Sequence, residues 1–120
     1  MEEIEMYGQK RWDSIKFALD FDDTVSLDPE FWGEFCLLVK KFGHSVTVVT
    51  SRADDGDNFD IDAFCKHNSL EVIYCSHVPK EECFKADVWL DDSPLAVPSE
   101  KNLRRRLSHL VEDRNGKGGW

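Results

Sequence analysis

The chain has 120 residues, of which 41% are hydrophobic and 32% charged, a balance that suits one compact domain with a single core and excludes global disorder. Twenty-four acidic residues against 15 basic ones leave a net charge of −9, which argues against broad electrostatic binding to nucleic acid or to an anionic membrane. No apolar run approaches the ~20 residues needed to span a bilayer, and the acidic opening MEEIEMYGQK lacks the apolar stretch of a secretory signal, so the expected compartment is a reducing cytoplasm.

Residues 1–13 show no periodicity and are expected to form a flexible lead-in to a single domain over residues 14–113. SIKFALD (14–20) predicts a strand. DPEFWGEFCLLVKKFG (28–43) is the clearest helix. Asp28 suits the N-cap, Pro29 suits the first helical position, and Gly43 suits the end. Phe31, Phe35, Leu38 and Phe42 recur at helical spacing and are expected to form its inward stripe. SVTVVT (45–50) is β-branched and predicts a second strand.

The acidic loop SRADDGDN (51–58) leads to a short helix over FDIDAFCKH (59–67), with Ile61, Phe64 and Cys65 on one side. LEVIYCS (70–76) predicts a third strand, PKEECFKA (79–86) has room for two helical turns, and DVWLDD (87–92) predicts a fourth strand ending in paired acids. SEKNLRRRLSHLVED (99–113) predicts a final helix capped by Ser99, with Leu103, Leu107, Leu110 and Val111 inward; RNGKGGW (114–120) is expected to be a flexible tail. Trp32 and Trp89 are assigned to the core. The four cysteines form no CxxC pair and no zinc-finger spacing, so they are expected to act as small buried hydrophobes.

Strands and helices that alternate in this way imply a parallel sheet with helices on both faces, a minimal Rossmann-like α/β fold. In such sheets ligands bind beyond the carboxyl ends of the strands. The residues that follow the four strands should therefore converge: Asp20, Asp22 and Thr24; Thr50, Ser51 and Arg52; Lys80; and Asp91, Asp92 and Ser93. Clustered carboxylates repel one another and need a cation, and hard oxygen ligands select Mg²⁺. The lysine and hydroxyls are then free to hold a phosphoryl group. One carboxylate can act as nucleophile on phosphorus, and a second two residues on can protonate the leaving oxygen. Arg52 is a candidate contact for a substrate phosphate, against a surface salt bridge to Asp54 or Asp55.

Four ordered motifs carry a resemblance. ALDFDDTV looks like a DxDxT motif after a hydrophobic strand, TVVT is a hydrophobic strand ending in Thr, Lys80 supplies a lysine, and VWLDDSP is a strand ending in paired acids. In this order they resemble the haloacid dehalogenase-like hydrolase superfamily. The resemblance implies a sheet order of 3-2-1-4 and a Mg²⁺-dependent phosphatase. In it Asp20 is the nucleophile, Asp22 the general acid/base, Thr50 a phosphoryl ligand and Lys80 the neutralising cation, preferred over Lys85. Asp20, the carbonyl of Asp22, Asp91 and Asp92 would hold the metal, with Thr24, Ser51 and Arg52 on the substrate side. Asp23 departs from the family pattern, which often has Gly there.

Caps in that family are inserted after the first motif or between the second and third, and here only VSLD separates Thr24 from the helix at Pro29. An open site is therefore expected, suited to a nucleotide or a nucleic-acid end, with no membrane partner. Two alternatives remain. One is a catalytically idle binding module on the same fold. The other is a phospho-receiver like that of response regulators, against which motif order argues, because no Asp ends the third strand.

Overall fold

The computed structural model describes residues 14–99, 101 and 102. The expected lead-in (1–13), the final helix beyond residue 102 and the tail (114–120) lie outside them. Four strands, β1 (Lys16–Leu19), β2 (Ser45–Thr50), β3 (Glu71–Tyr74) and β4 (Val88–Leu90), form one parallel sheet in the order β3-β2-β1-β4. This is the order that the resemblance implies. The chain leaves β1 towards β2 and β3, then crosses back to place β4 on the other side of β1. The strand order reverses at β1, and a crevice opens at the carboxyl end of such a switch point. Leu19 pairs with Val48 on one side and Leu90 on the other, so Asp20 and Asp91 leave the sheet at the same level.

Alternating side chains feed two cores. On one face, Leu19, Val46 and Val48 pack with Cys36 and Val39 of α1 (Pro29–Lys41) and with Ile61, Phe64 and Cys65 of α2 (Phe59–His67). On the other, Ala18, Val49 and Cys75 are covered by Cys83, Phe84, Ala86 and Trp89, around the single turn of α3 (Lys80–Cys83). All four cysteines are free, and three are fully buried, as expected of small hydrophobes. Among the described residues no helix is long and apolar enough to cross a membrane.

α1 begins as its sequence dictates. The Asp28 side chain accepts from the Phe31 amide at 3.1 Å, Pro29 follows, and Gly43 takes φ 85° beyond the end. Its inward stripe differs from the expected one. Cys36 and Val39 are buried, with Trp32 and Phe35 packed beside them, whereas Phe31, Leu38 and Phe42 are each more than half exposed. The helix is apolar around much of its circumference, so two stripes one residue apart both satisfy the period. Cys36 and Val39 fit against the sheet, Phe35 packs beside them as expected, and Phe31, Leu38 and Phe42 fall outside. Ser99 caps the following chain as expected, accepting from the Asn102 amide at 3.4 Å.

Candidate active site

The turn after β1 sets the first group. The Asp20 amide donates to the Leu90 carbonyl at 2.9 Å, extending the β1–β4 ladder by one residue and fixing Asp20 beside Asp91. The Thr24 and Ser26 amides both donate to the Phe21 carbonyl, at 3.2 and 2.9 Å, which leaves the Asp22 carbonyl out of that ladder. Asp23 takes φ 60°, the left-handed region that favours glycine but that Asp tolerates. Its amide donates to Ser26 Oγ at 2.9 Å, so an aspartate at this position keeps the tight turn. Thr24 Oγ1 donates to Asp20 Oδ2 at 3.4 Å.

Lys80 comes from the opposite side of the crevice. Ser76 and His77, both left-handed at φ 50° and 65°, donate their amides to the Arg52 and Ser51 carbonyls at 3.1 and 2.9 Å. The loop after β3 is thereby stitched to the loop after β2, and Lys80 enters at the first residue of α3. Its side chain is 2% exposed, and Nζ donates to Asp20 Oδ1 at 2.8 Å and to Asp91 Oδ2 at 2.5 Å. Lys85 is exposed to solvent, so Lys80 is the lysine that meets the aspartates. Asp91 Oδ1 also accepts from the Ser93 amide at 2.9 Å, so both Asp91 oxygens are engaged. Asp92 lies exposed at the mouth.

Burial pushes the Asp20 carboxyl up to about 7, and the neighbouring Asp92 adds to this while Lys80 pulls it down. Burial also opposes charge on Lys80, but its two carboxylate partners outweigh it and raise the ammonium above its ordinary value. The lysine is firmly protonated, while Asp20 carries more negative neighbours than one cation balances. Asp20, Asp91 and Asp92 each offer a carboxylate oxygen within 4.8 Å of the others. An all-oxygen set of this charge suits a hard divalent cation. Asp20, Asp91 and Asp92 are the carboxylates that could hold a cation, with Asp91 also anchoring Lys80.

Thr50 ends β2 fully buried, and its Oγ1 accepts the Arg52 amide at 3.2 Å, which leaves the hydroxyl proton for another acceptor. Ser51 is half-buried beside it. Asp22 and Arg52 are brought together in a way the sequence did not suggest. Arg52 grips Asp22 through Nε at 3.0 Å and Nη2 at 2.6 Å, and Asp60 through Nη1 at 2.9 Å and Nη2 at 3.0 Å. The ion pairs expected with Asp54 or Asp55 are replaced by these, because Asp60 in the first turn of α2 presents its carboxylate to the guanidinium.

Asn58 Oδ1 accepts from Nη1 at 3.3 Å, and the guanidinium carbon stands 5.5 Å from the centre of the Phe21 ring. Sequence reasoning missed Asn58 and Asp60. Both look like ordinary residues at a helix start, a cap and an acidic first-turn position, and nothing in their spacing links them to Arg52.

A cleft of about 880 Å³ lies between α1 and α2 and is walled by Phe21, Gly33, Leu37, Phe64 and His67, with Asp60 among its lining. Neither Asp20 nor Lys80 lines it, so the chemistry of the carboxyl edge, not cavity volume, marks the candidate site. The chain is thus a small parallel α/β domain whose switch point carries a lysine-bridged carboxylate cluster. No family model, curated protein or solved structure matches it.

Proposed function

We propose that the protein is a Mg²⁺-dependent phosphomonoester hydrolase of the haloacid dehalogenase-like type that works through an aspartyl-phosphate. The observation that carries this reading is Lys80, a buried ammonium shared by Asp20 and Asp91 at the carboxyl ends of two adjacent strands. Burying such a charge set is a weak way to gain stability and is better explained by chemistry. A carboxylate oxygen of Asp20 attacks phosphorus and the ester P–O bond breaks. To serve as the general acid/base of this reading, Asp22 would have to leave its ion pair with Arg52 and carry a proton for the leaving oxygen, then take one from the water that hydrolyses the aspartyl-phosphate, releasing phosphate and restoring Asp20. Thr50 donates to a phosphoryl oxygen, and Lys80 balances charge on Asp20 and the phosphate. The bound cation supplies Lewis-acid neutralisation of the phosphoryl oxygens.

The direct test is hydrolysis of p-nitrophenyl phosphate with Mg²⁺ and its loss on adding a chelator. A protein inactive on this and on a broad phosphomonoester panel would favour the idle binding module.

Metal binding is expected to stabilise the fold. A ligand held only by the native state at a hundred times its dissociation constant adds about 2.7 kcal/mol, on the order of 10 °C in Tm for a chain of this size. The response should grow with pH. The raised folded pKa of Asp20, about 7 against an ordinary 3.8, means its contribution to metal-free stability is full below about pH 4 and is lost as pH rises through 7. Thermal melts with and without Mg²⁺ at pH 5 and 8 read this. Asp92→Asn should blunt the shift, and melting curves indifferent to excess Mg²⁺ at pH 8 would count against the metal.

The substrate class follows from access. Between β1 and α1 the described chain forms one turn and a 3-10 helix (Val25–Leu27), and between β2 and β3 it forms a loop and α2, so no inserted domain covers the carboxyl edge at either place. An edge with no inserted cap among the described residues admits a nucleotide or a phosphorylated nucleic-acid end, while the net charge of −9 opposes long polyanions. Catalytic efficiency should be higher on mononucleotides and short 3′- or 5′-phosphorylated oligonucleotides than on phosphopeptides or sugar phosphates. A monomer that strongly prefers a small sugar phosphate would overturn this assignment.

A further inference from the structure

We infer that α1 is a docking surface for a second copy of this chain, the two helices packing antiparallel about a twofold axis. Phe31, Phe35, Leu38 and Phe42 recur at spacings of four, three and four residues, the rhythm of the apolar seam between two paired helices. The fold turns this seam away from the sheet. Phe31, Leu38 and Phe42 are 54%, 55% and 64% exposed. Phe42 belongs to the seam although it lies just past α1, because its amide still donates to the Leu38 carbonyl at 3.3 Å. Phe35 is half-buried and ties the seam to β1 through an edge-on contact with Phe17, ring centres 5.9 Å apart.

The seam borders a gap in the architecture. Gly33 and Leu37 form the flank of α1 that faces α2 across the cleft. The seam lies on the other flank, over β1 and towards β4. Val88 and Leu90 of β4 share this face of the sheet with Phe17 and Leu19, and both are only half-buried. A parallel sheet is covered on both faces as a rule, and among the described residues no helix lies beside α1 on this side.

Charge selects the occupant. Glu34 and Lys41 directly precede Phe35 and Phe42, so they hold the same flanking position on successive repeats of the seam. Both are exposed, and neither has an ion-pair partner among the described residues. In an antiparallel pair this flank meets its own counterpart running the other way. Phe31 then faces Phe42 of the second copy, Phe35 faces its Leu38, and Glu34 meets its Lys41, each contact made twice by symmetry. With its acid early and its base late, α1 is complementary to itself reversed. Residues 1–13 are a poorer occupant. A segment entering β1 beside His44 would run along α1 in the same direction, setting Glu2, Glu3 and Glu5 near Glu30 and Glu34, and Lys10 and Arg11 near Lys41. The three exposed seam residues offer on the order of 100 Å² each, so with its charged flanks the interface sits at the small end of specific ones and the dimer should be reversible.

Sedimentation velocity of the full chain over a dilution series tests this, and its outcome is independent of any catalytic activity. The wild type should pass from dimer to monomer on dilution. Phe42→Glu should weaken association roughly a hundredfold without lowering Tm. Glu34→Lys and Lys41→Glu should each weaken it roughly tenfold, because each replaces two attractive contacts by two repulsive ones. Mixing these two single variants should restore association as a heterodimer, and the double variant Glu34→Lys, Lys41→Glu should dimerise as the wild type does. Both charges are exposed, so these variants should fold as the wild type does. A chain that stays monomeric at every concentration, a dimer indifferent to Phe42→Glu, or charge variants that associate no better mixed than alone would overturn the inference. A monomer whose Tm drops in Phe42→Glu would assign the seam to a segment of the same chain and overturn it as well.

Discussion

Asp20→Asn is expected to abolish phosphomonoester hydrolysis while leaving the fold in place. The amide oxygen can still accept from Lys80, and the side chain keeps its size at a position 6% exposed, so packing is preserved. What disappears is the nucleophilic oxygen, and removal of a covalent nucleophile typically costs on the order of 10⁴-fold or more in kcat. Stability should move the other way. Above pH 7 the wild-type carboxyl ionises in a setting that disfavours it, whereas the variant has nothing to ionise. The metal-free variant should therefore melt at or above the wild-type temperature at pH 8. Beryllium fluoride, which mimics a phosphoryl group on an aspartate, should shift the spectrum around Asp20 in the wild type and not in the variant. Full activity in Asp20→Asn would remove the aspartyl-phosphate from the mechanism.

The fold was legible because each local signal agreed with its neighbours. The β-branched run at 45–50, the Asp28–Pro29 helix start and the alternation of elements all point to a parallel sheet, and its order appears as the resemblance implied. The site was legible for a related reason. Topology sends every strand end to one edge, so Asp20, Lys80 and Asp91 could be placed together without knowing a single distance. Two things were not legible. The inward stripe of α1 was misjudged by one residue because apolar side chains surround the helix, and only contact with the sheet selects Cys36 and Val39. The partners of Arg52 were missed because ion pairing depends on how α2 is angled over the edge. No periodicity in FDIDAFCKH distinguishes Asp60, which faces Arg52, from Asp62, which accepts from the Tyr74 hydroxyl at 2.7 Å.

Lys80→Met should be the most destabilising single change at the site. The ammonium is 2% exposed, and the Asp20 and Asp91 side chains it joins are 7% and 3% exposed. Methionine fills similar volume but removes the only cation bonded to either carboxylate among the described residues. Leaving one side of a buried ion pair uncompensated typically costs about 3–5 kcal/mol, more than about 10 °C in Tm for a chain of this size.

The loss should depend on pH in a definite direction. Without Lys80 the folded pKa of Asp20, already raised, rises further above its unfolded value. At pH 5 the buried carboxyl escapes by staying protonated, and at pH 8 it must ionise or hold a proton against the solvent. The gap between wild type and variant should thus widen from pH 5 to 8. Adding Asp20→Asn to Lys80→Met should recover part of the loss at pH 8, because the double variant has one buried charge fewer to compensate. Mg²⁺ should recover part of it in the single variant, since a cation bound to Asp20 and Asp92 replaces some of the missing charge. Thermal melts of the wild type and the two variants across this pH range decide the matter. A Lys80→Met protein that melts within a degree or two of wild type at pH 8 would mean that Lys80 does not balance the charge of Asp20 and Asp91, and would take with it the observation on which the proposed chemistry rests.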